Sequence, residues 1–195
     1  MPRRKIRFNG VVLAGGLSSR MGQDKALLRF GEETLLTRAK AVLKEAGAAQ
    51  VFVSRNDQGE GHLADVYPQH GPLSGIHAAL LADDNPILAM PVDMPLIDAE
   101  AIAMLFNNGA QMDTIVTYVD HNLPIYVPNN SAIRRYLEQT LTSDRNKSIT
   151  RFMQSLGCSY LSPLDADKLI NVNTPQQWRQ LQQSVNNRSQ SWHTN

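Results

Sequence analysis

The sequence predicts an α/β fold with a mostly parallel sheet. Short apolar runs alternate with stretches whose apolar residues recur at helical spacing, as strands and their crossover helices do. The runs Val11–Ala14, Val51–Val53 and Ile87–Met90 are continuous, the pattern of strands covered on both faces. The first stops abruptly at Gly15-Gly16, where a loop can leave the carboxyl end of a strand.

Taken in order, the first strand spans Phe8 to Leu13, and Ala26 to Phe30 reads as a short extended piece closing at Gly31. Leu35, Leu36, Ala39, Val42, Leu43 and Ala46 share one helical face, and Gly47 stops that helix. Val51 to Ser54 is the second strand. A helix begins near Leu73 and runs through Leu81, before the third buried strand at Ile87 to Met90. Pro95 and Asp98 mark entry to a helix over Ala101 to Phe106. Thr114 to Val119 and Leu123 to Val127 suit an antiparallel pair. Helices near Ser131 to Leu141 and Ser148 to Leu156 lead to a strand around Tyr160. Pro175 fits the first turn of a closing helix through Leu181. One domain over 9–182 is expected, between a basic arm (1–8) and a polar tail (183–195) too poor in apolar residues to order itself.

Composition narrows the function. A formal charge of +1 over 195 residues argues against a general nucleic-acid surface, and Arg3, Arg4, Lys5 and Arg7 read as a solvated arm. A single cysteine, Cys158, excludes an intrachain disulfide and a cysteine-rich zinc cluster. With no apolar stretch of membrane-spanning length and no h-region after the basic start, a soluble, cytoplasmic protein is expected. The five histidines lack metal-ligand spacing, and His77 reads as a satisfied buried histidine.

The loop after the first strand carries the strongest chemical signal. Gly15 and Gly16 let the backbone turn and approach a ligand, its exposed N–H groups form an anion-binding concavity, and Arg20 and Lys25 add positive charge. The spacing excludes a Walker A loop, because Gly16 and Gly22 are followed by Gln23, and it also lacks the Gly-x-Gly-x-x-Gly dinucleotide fingerprint. Polyphosphate is the ligand this suits.

Asp93, in Pro91-Val92-Asp93-Met94-Pro95, follows the third buried strand and shares the sheet edge with the glycine loop. A carboxylate there suits Mg²⁺, which takes one or two protein carboxylates and completes its shell with phosphate and water. The competing use, capping the next helix, fits Asp98 better. Gly71 opens a tight Gly71-Pro72-Leu73-Ser74-Gly75 loop that would let backbone approach a flat base. Asn171 and Asn173 fall on one face of an extended segment, although Asn173 or Thr174 could equally cap the last helix. Asn56 and Asp65, read alone, are polar loop residues of open role.

Together these segments, in this order from about Val11 to Leu181, resemble the molybdenum cofactor guanylyltransferases, the MobA family. The resemblance implies a three-layer, Rossmann-like nucleotidyltransferase fold of the glycosyltransferase-A type. It also implies a reaction in which GTP and Mo-molybdopterin give the guanine dinucleotide cofactor and pyrophosphate. It places Leu13, Ala14, Gly15, Gly16, Lys25, Asn56, Asp65, Gly71 and Asp93 in the GTP site, and Mg²⁺ on Asp93. Lys25, Asp93 and Arg20 become the catalytic set, and Asn171 and Asn173 lie toward the pterin or the reacting phosphates. Ser54-Arg55 departs from the Asn-containing run expected beside Asn56. Substrates of this kind imply transient contact with a protein supplying molybdopterin or an acceptor molybdoenzyme, and neither nucleic acid nor membrane. Two alternatives remain at this level. One is a cytidylyl- or other nucleotidyltransferase acting on molybdopterin or on a sugar or polyol phosphate. The other is a non-catalytic GTP-binding module, which the retention of Asp93 disfavours.

Overall fold

The computed structural model describes residues 7–15, 24–57, 59, 61–68, 70–143 and 147–191, with side chains as far as residue 184. Strand β1 (Asn9–Leu13) leads through a 3₁₀ turn at Lys25–Leu27 to a small hairpin, β2 (Arg29–Phe30) and β3 (Glu33–Thr34). Then come α1 (Leu35–Glu45), β4 (Val51–Ser54), β5 (His62–Leu63), α2 (Pro72–Ala82) and β6 (Ile87–Pro91). The second half holds α3 (Ala99–Met112), β7 (Ile115–Tyr118), β8 (Ile125–Val127), α4 (Ser131–Leu141), α5 (Ile149–Leu156), β9 (Cys158–Leu161) and α6 (Pro175–Ser191).

Seven strands form one sheet in the order β5-β4-β1-β6-β8-β7-β9. The pairings β5–β4, β4–β1, β1–β6 and β7–β9 are parallel, and β8 alone runs against both its neighbours. The expected antiparallel pair of Ile115–Tyr118 and Ile125–Val127 is present, within a sheet that is mixed and largely parallel.

Alternation along the strands sorts the core into two layers. Val12, Leu88, Met90, Val116 and Tyr126 face α1, α3 and α6, packing with Leu43, Leu105 and Trp178. Val11, Ile87, Ala89, Ile115 and Ile125 face α2, α4 and α5, packing with Ile76, Leu137 and Phe152. Burial pushes the phenols of Tyr118 and Tyr126 up to about 12, so both stay neutral at any physiological pH.

Helix starts are written in single residues. The side chains of Thr34, Asp98, Asn130 and Ser148 accept the orphan N–H groups of Thr37, Ala101, Ile133 and Arg151, capping α1, α3, α4 and α5. Asp98 is therefore the cap expected of it.

Four elements differ from expectation. Residues 25–27 form a 3₁₀ turn, because the Asp24 carboxylate accepts the Ala26 N–H and caps it; extended backbone begins only at Arg29. Helix α3 continues to Met112 through Asn107-Asn108-Gly109, a run of low helical propensity. A Cβ on Gly109 would lie 2.1 Å from the Tyr126 ring, so this glycine serves close packing and not a helix end. Strand β5, two residues long, carries no apolar run that would announce it. Helix α6 runs past Leu181, which is buried, to Ser191, with neither Gly nor Pro to break it beyond that point. No helix among the described residues is long and apolar enough to cross a membrane.

Candidate functional site at the carboxyl edge of the sheet

Three parallel strands end side by side: Leu13 is in register with Ser54 of β4 and with Pro91 of β6. The chain leaves β1 toward β4 on one side and later returns to β6 on the other. The crevice between the ends of β1 and β6 is therefore a topological switch point, where open α/β sheets bind ligands. Backbone bonds hold the emerging loops: Ala14 N–H donates to the Ser54 carbonyl (3.2 Å) and Val92 N–H to that of Leu13 (3.3 Å). Ala14 and Gly15 thus stand between Ser54 and Asp93.

Lys25 reaches this crevice from the 3₁₀ turn. Its Nζ donates to Asp93 Oδ2 (2.9 Å) and to Asn173 Oδ1 (2.8 Å). Both side chains of the ion pair are 17% exposed, so it sits largely outside bulk water and ranks above surface pairs, which contribute about 0–1 kcal/mol. Asn173 is held there by two devices. Val172, buried in the core, donates its N–H to the Asp93 carbonyl (2.9 Å), lashing this segment to the end of β6. Thr174 and Gln177 then form a capping box on α6: Thr174 Oγ1 accepts from Gln177 N–H, and Gln177 Oε1 accepts from the N–H groups of Asn173 and Thr174. Thr174 is the cap, which leaves the Asn173 amide to face Lys25. Asn171 is exposed and adds no hydrogen bond to this cluster among the described residues.

A second cluster lies on the β4 side. Asn56 Oδ1 accepts the Asp65 N–H (2.9 Å), its Nδ2 approaches Asp65 Oδ2 (3.5 Å), and Ser54 Oγ donates weakly to Asp65 Oδ1 (3.4 Å). Asn56 and Asp65, nine residues apart in the sequence, are thus joined in one cluster. Helix α2 begins beside Ser54 of this cluster. Gly71 precedes it at φ +66°, a conformation that favours glycine, with open space where a side chain would be. A Cβ on Gly75 would lie 2.3 Å from Ser54 Oγ and 2.9 Å from Leu13 Cδ2, so glycine lets the helix rest on the ends of β1 and β4.

Sequence reasoning passed over Arg55. Its guanidinium pairs through one Nη with Asp24 Oδ2 and through Nε with Asp57, whose other oxygen meets His62 Nδ1. Partial burial opposes the Arg55 charge, but hydrogen bonds and attraction from Asp24 and Asp57 outweigh it and raise its pKa further. Asp57, two residues on, was the only local signal, and nothing in the sequence shows that Asp24, 31 residues earlier, meets the same guanidinium.

Gly16 and Arg20 lie outside the described residues. His77 is buried, as expected, but not satisfied: its Nδ1 has no hydrogen-bond partner among the described residues, and burial lowers its pKa, keeping it neutral.

A largely parallel sheet covered by helices on both faces, with loops gathered at one carboxyl edge, is the nucleotidyltransferase type of α/β fold. The fold is closely matched by a solved structure, molybdopterin-guanine dinucleotide biosynthesis protein A from Archaeoglobus fulgidus, with TM-score 0.76 at 19% identity, over 92% of this chain and all of that one. It is shared also by 2-C-methyl-D-erythritol 4-phosphate cytidylyltransferase from Thermus thermophilus, with TM-score 0.66 at 16% identity, over 92% of this chain and 98% of that one. Residues 10–159 match the MobA-like NTP transferase domain. A molybdenum cofactor guanylyltransferase of Xanthomonas euvesicatoria pv. vesicatoria is 36% identical over 89% of this chain and 94% of its own length. The chain belongs to the MobA-like nucleotidyltransferase family.

Proposed function

We propose that this protein transfers GMP from GTP to Mo-molybdopterin, releasing pyrophosphate and forming the guanine dinucleotide cofactor. The observation that carries the reading is the Lys25 ammonium held between Asp93 and Asn173 at the switch point, beside the loop leaving β1. The 36% identical guanylyltransferase supports the choice of guanine and of the pterin acceptor, which the fold alone does not make.

The acceptor's terminal phosphate monoester has a second pKa near 6 and is largely dianionic at neutral pH. It needs no general base. What the protein supplies is alignment and relief of repulsion between two anions. Lys25 lends a full charge to the triphosphate from a position fixed at both ends, and the loop at Leu13, Ala14 and Gly15 offers backbone that can lie against phosphate. On this reading Gly16 and Arg20 extend the same grip. Asn56, Asp65 and Gly71, grouped around the first turn of α2, hold the nucleoside end. Asn173 orients Lys25, and Asn171 lies toward the acceptor.

Asp93 is the residue that would hold Mg²⁺. Its carboxylate stands at the strand edge with one oxygen engaged by Lys25, and no group of three or more His, Cys, Asp or Glu assembles a protein cage among the described residues. A single hard oxygen donor beside a phosphate site fits an ion that completes its shell from the substrate. Bound there, magnesium would supply charge stabilisation at the α-phosphate and the leaving pyrophosphate. A second contact, with a protein delivering molybdopterin or an acceptor molybdoenzyme, belongs to the same reading.

The test is incubation of the protein with Mg²⁺, Mo-molybdopterin and each of the four nucleoside triphosphates in turn, with products identified by mass. The guanine dinucleotide should dominate. A cytosine dinucleotide as the main product would assign the other base, and nucleotide binding without transfer to any acceptor would make this a binding module.

A further inference from the structure

We infer that Arg55 is a positioning residue for Lys25, acting through Asp24. The inference rests on the phosphate-binding role given to Lys25 above. The geometry forms one relay. Arg55 sits just beyond β4, where its backbone N–H donates to the Leu63 carbonyl of β5 (3.3 Å), so its own main chain is anchored in the sheet. Its guanidinium engages Asp24 Oδ2, while Asp24 Oδ1 accepts the Ala26 N–H and starts the 3₁₀ turn that begins with Lys25. Both carboxylate oxygens of Asp24 are thus used, one to shape the turn and one to fasten it to β4. Lys25, the next residue, spans the crevice to Asp93 and Asn173.

The turn therefore has two tethers on opposite sides of β1: Asp24 to Arg55 beyond β4, and Lys25 to Asp93 beyond β6. A lysine carries four rotatable bonds and a compact charge, so its ammonium is placed only as well as its backbone is. Arg55 fixes that backbone with a planar fork that Asp57 holds from the far side through Nε. His62 in turn meets Asp57 through Nδ1. None of these four side chains is needed to complete the hydrophobic core. They are 14–45% exposed, and their shared consequence is the pose of the segment that bears Lys25.

The experiment measures amine labelling of Lys25 by a succinimidyl ester, mapped by mass spectrometry, alongside GTP affinity and steady-state transfer, in wild type, R55K, R55Q, D24N, R55Q/D24N and R55Q/K25A. Lys25 labelling should rise several-fold in R55Q and less in R55K, while GTP affinity and kcat/KM fall about tenfold. D24N should match R55Q, and the double variant should be no worse than either. In the K25A background R55Q should cost nothing further. Unchanged Lys25 labelling in both R55Q and R55K would overturn the inference, as would a full tenfold loss from R55Q in the K25A background, which would make Arg55 a direct ligand contact. If wild type transfers no nucleotide yet R55Q still exposes Lys25, the functional reading fails and the relay stands.

Discussion

The two halves of the sheet end differently. On one side β5, β4, β1 and β6 run parallel, and the chain leaving them carries Asn56, Asp65, Gly15 and Asp93 toward one another. On the other side β8 runs against its neighbours, and the chain beyond β7 and β9 carries exposed apolar residues, Val119 and Leu164. Parallel neighbours bring every carboxyl end to the same edge, so polar loops there become a site. An antiparallel strand sends its carboxyl end to the opposite edge, and β8 accordingly hands the chain to α4 away from the crevice. Under the proposed function the parallel strands carry most of the site, and among the described residues of the other half only the segment beyond β9 reaches it, bringing Asn173 to Lys25.

The largest expected effect that separates the halves is at Asp93. D93N should cut kcat by about a thousandfold, on the scale of removing a charge stabiliser of the transition state, while the thermal unfolding midpoint stays within a few degrees of wild type. Wild-type turnover at saturating Mg²⁺ would remove Asp93 from the mechanism. The mirror case is Phe152, a fully buried residue of α5 on the far half. F152A should lower stability by about 3–5 kcal/mol in chemical denaturation, with kcat per folded molecule unchanged. If kcat fell as steeply as stability, the division of labour would be wrong.

Gly75 sits on the boundary, where packing and site coincide. In G75A the new methyl overlaps Ser54 Oγ, and overpacking of this kind costs about 1–3 kcal/mol. Because Ser54 also meets Asp65, the nucleotide KM should rise more than kcat falls. A stability loss with unchanged KM would detach the β4 cluster from nucleotide binding.

The smallest effect belongs to Asp98 and Lys168, at the start of α3. Burial works to raise the Asp98 pKa, but the hydrogen bonds from Lys168 and from the Ala101 N–H outweigh it and hold it below the ordinary carboxylate value. A folded value below the unfolded one contributes stability above the unfolded pKa of about 4, and that contribution disappears as pH falls through the folded value. K168A should therefore lower the unfolding midpoint slightly at pH 7 and converge with wild type in strong acid. A deficit that persisted undiminished below pH 2 would point to lost packing by the lysine stem instead.

How much of this the sequence made legible follows the same division. Strands β1, β4 and β6 announce themselves as continuous apolar runs, and caps such as Asp98 and Ser148 sit immediately before their helices. That Lys25 and Asp93 share one edge was readable because each follows a strand or its loop, and a parallel sheet brings such positions together. Arg55 was not. It meets Asp24, 31 residues earlier in the chain, in a contact that no local pattern encodes. The extension of α3 past Phe106 was hidden for a related reason: Gly109 lowers helical propensity locally, and its place in the helix is explained by the Tyr126 ring packed against it. The choice of Thr174 over Asn173 as cap likewise waited on Gln177, whose side chain closes the box.

The most direct test of the central claim follows phosphorus. GTP labelled at its α-phosphate, incubated with the protein, Mg²⁺ and Mo-molybdopterin, should pass its label into the pterin dinucleotide, while label placed at the γ-position should leave as pyrophosphate. Label from the γ-position appearing on the pterin, or α-label recovered only as free GMP, would contradict nucleotidyl transfer at this site.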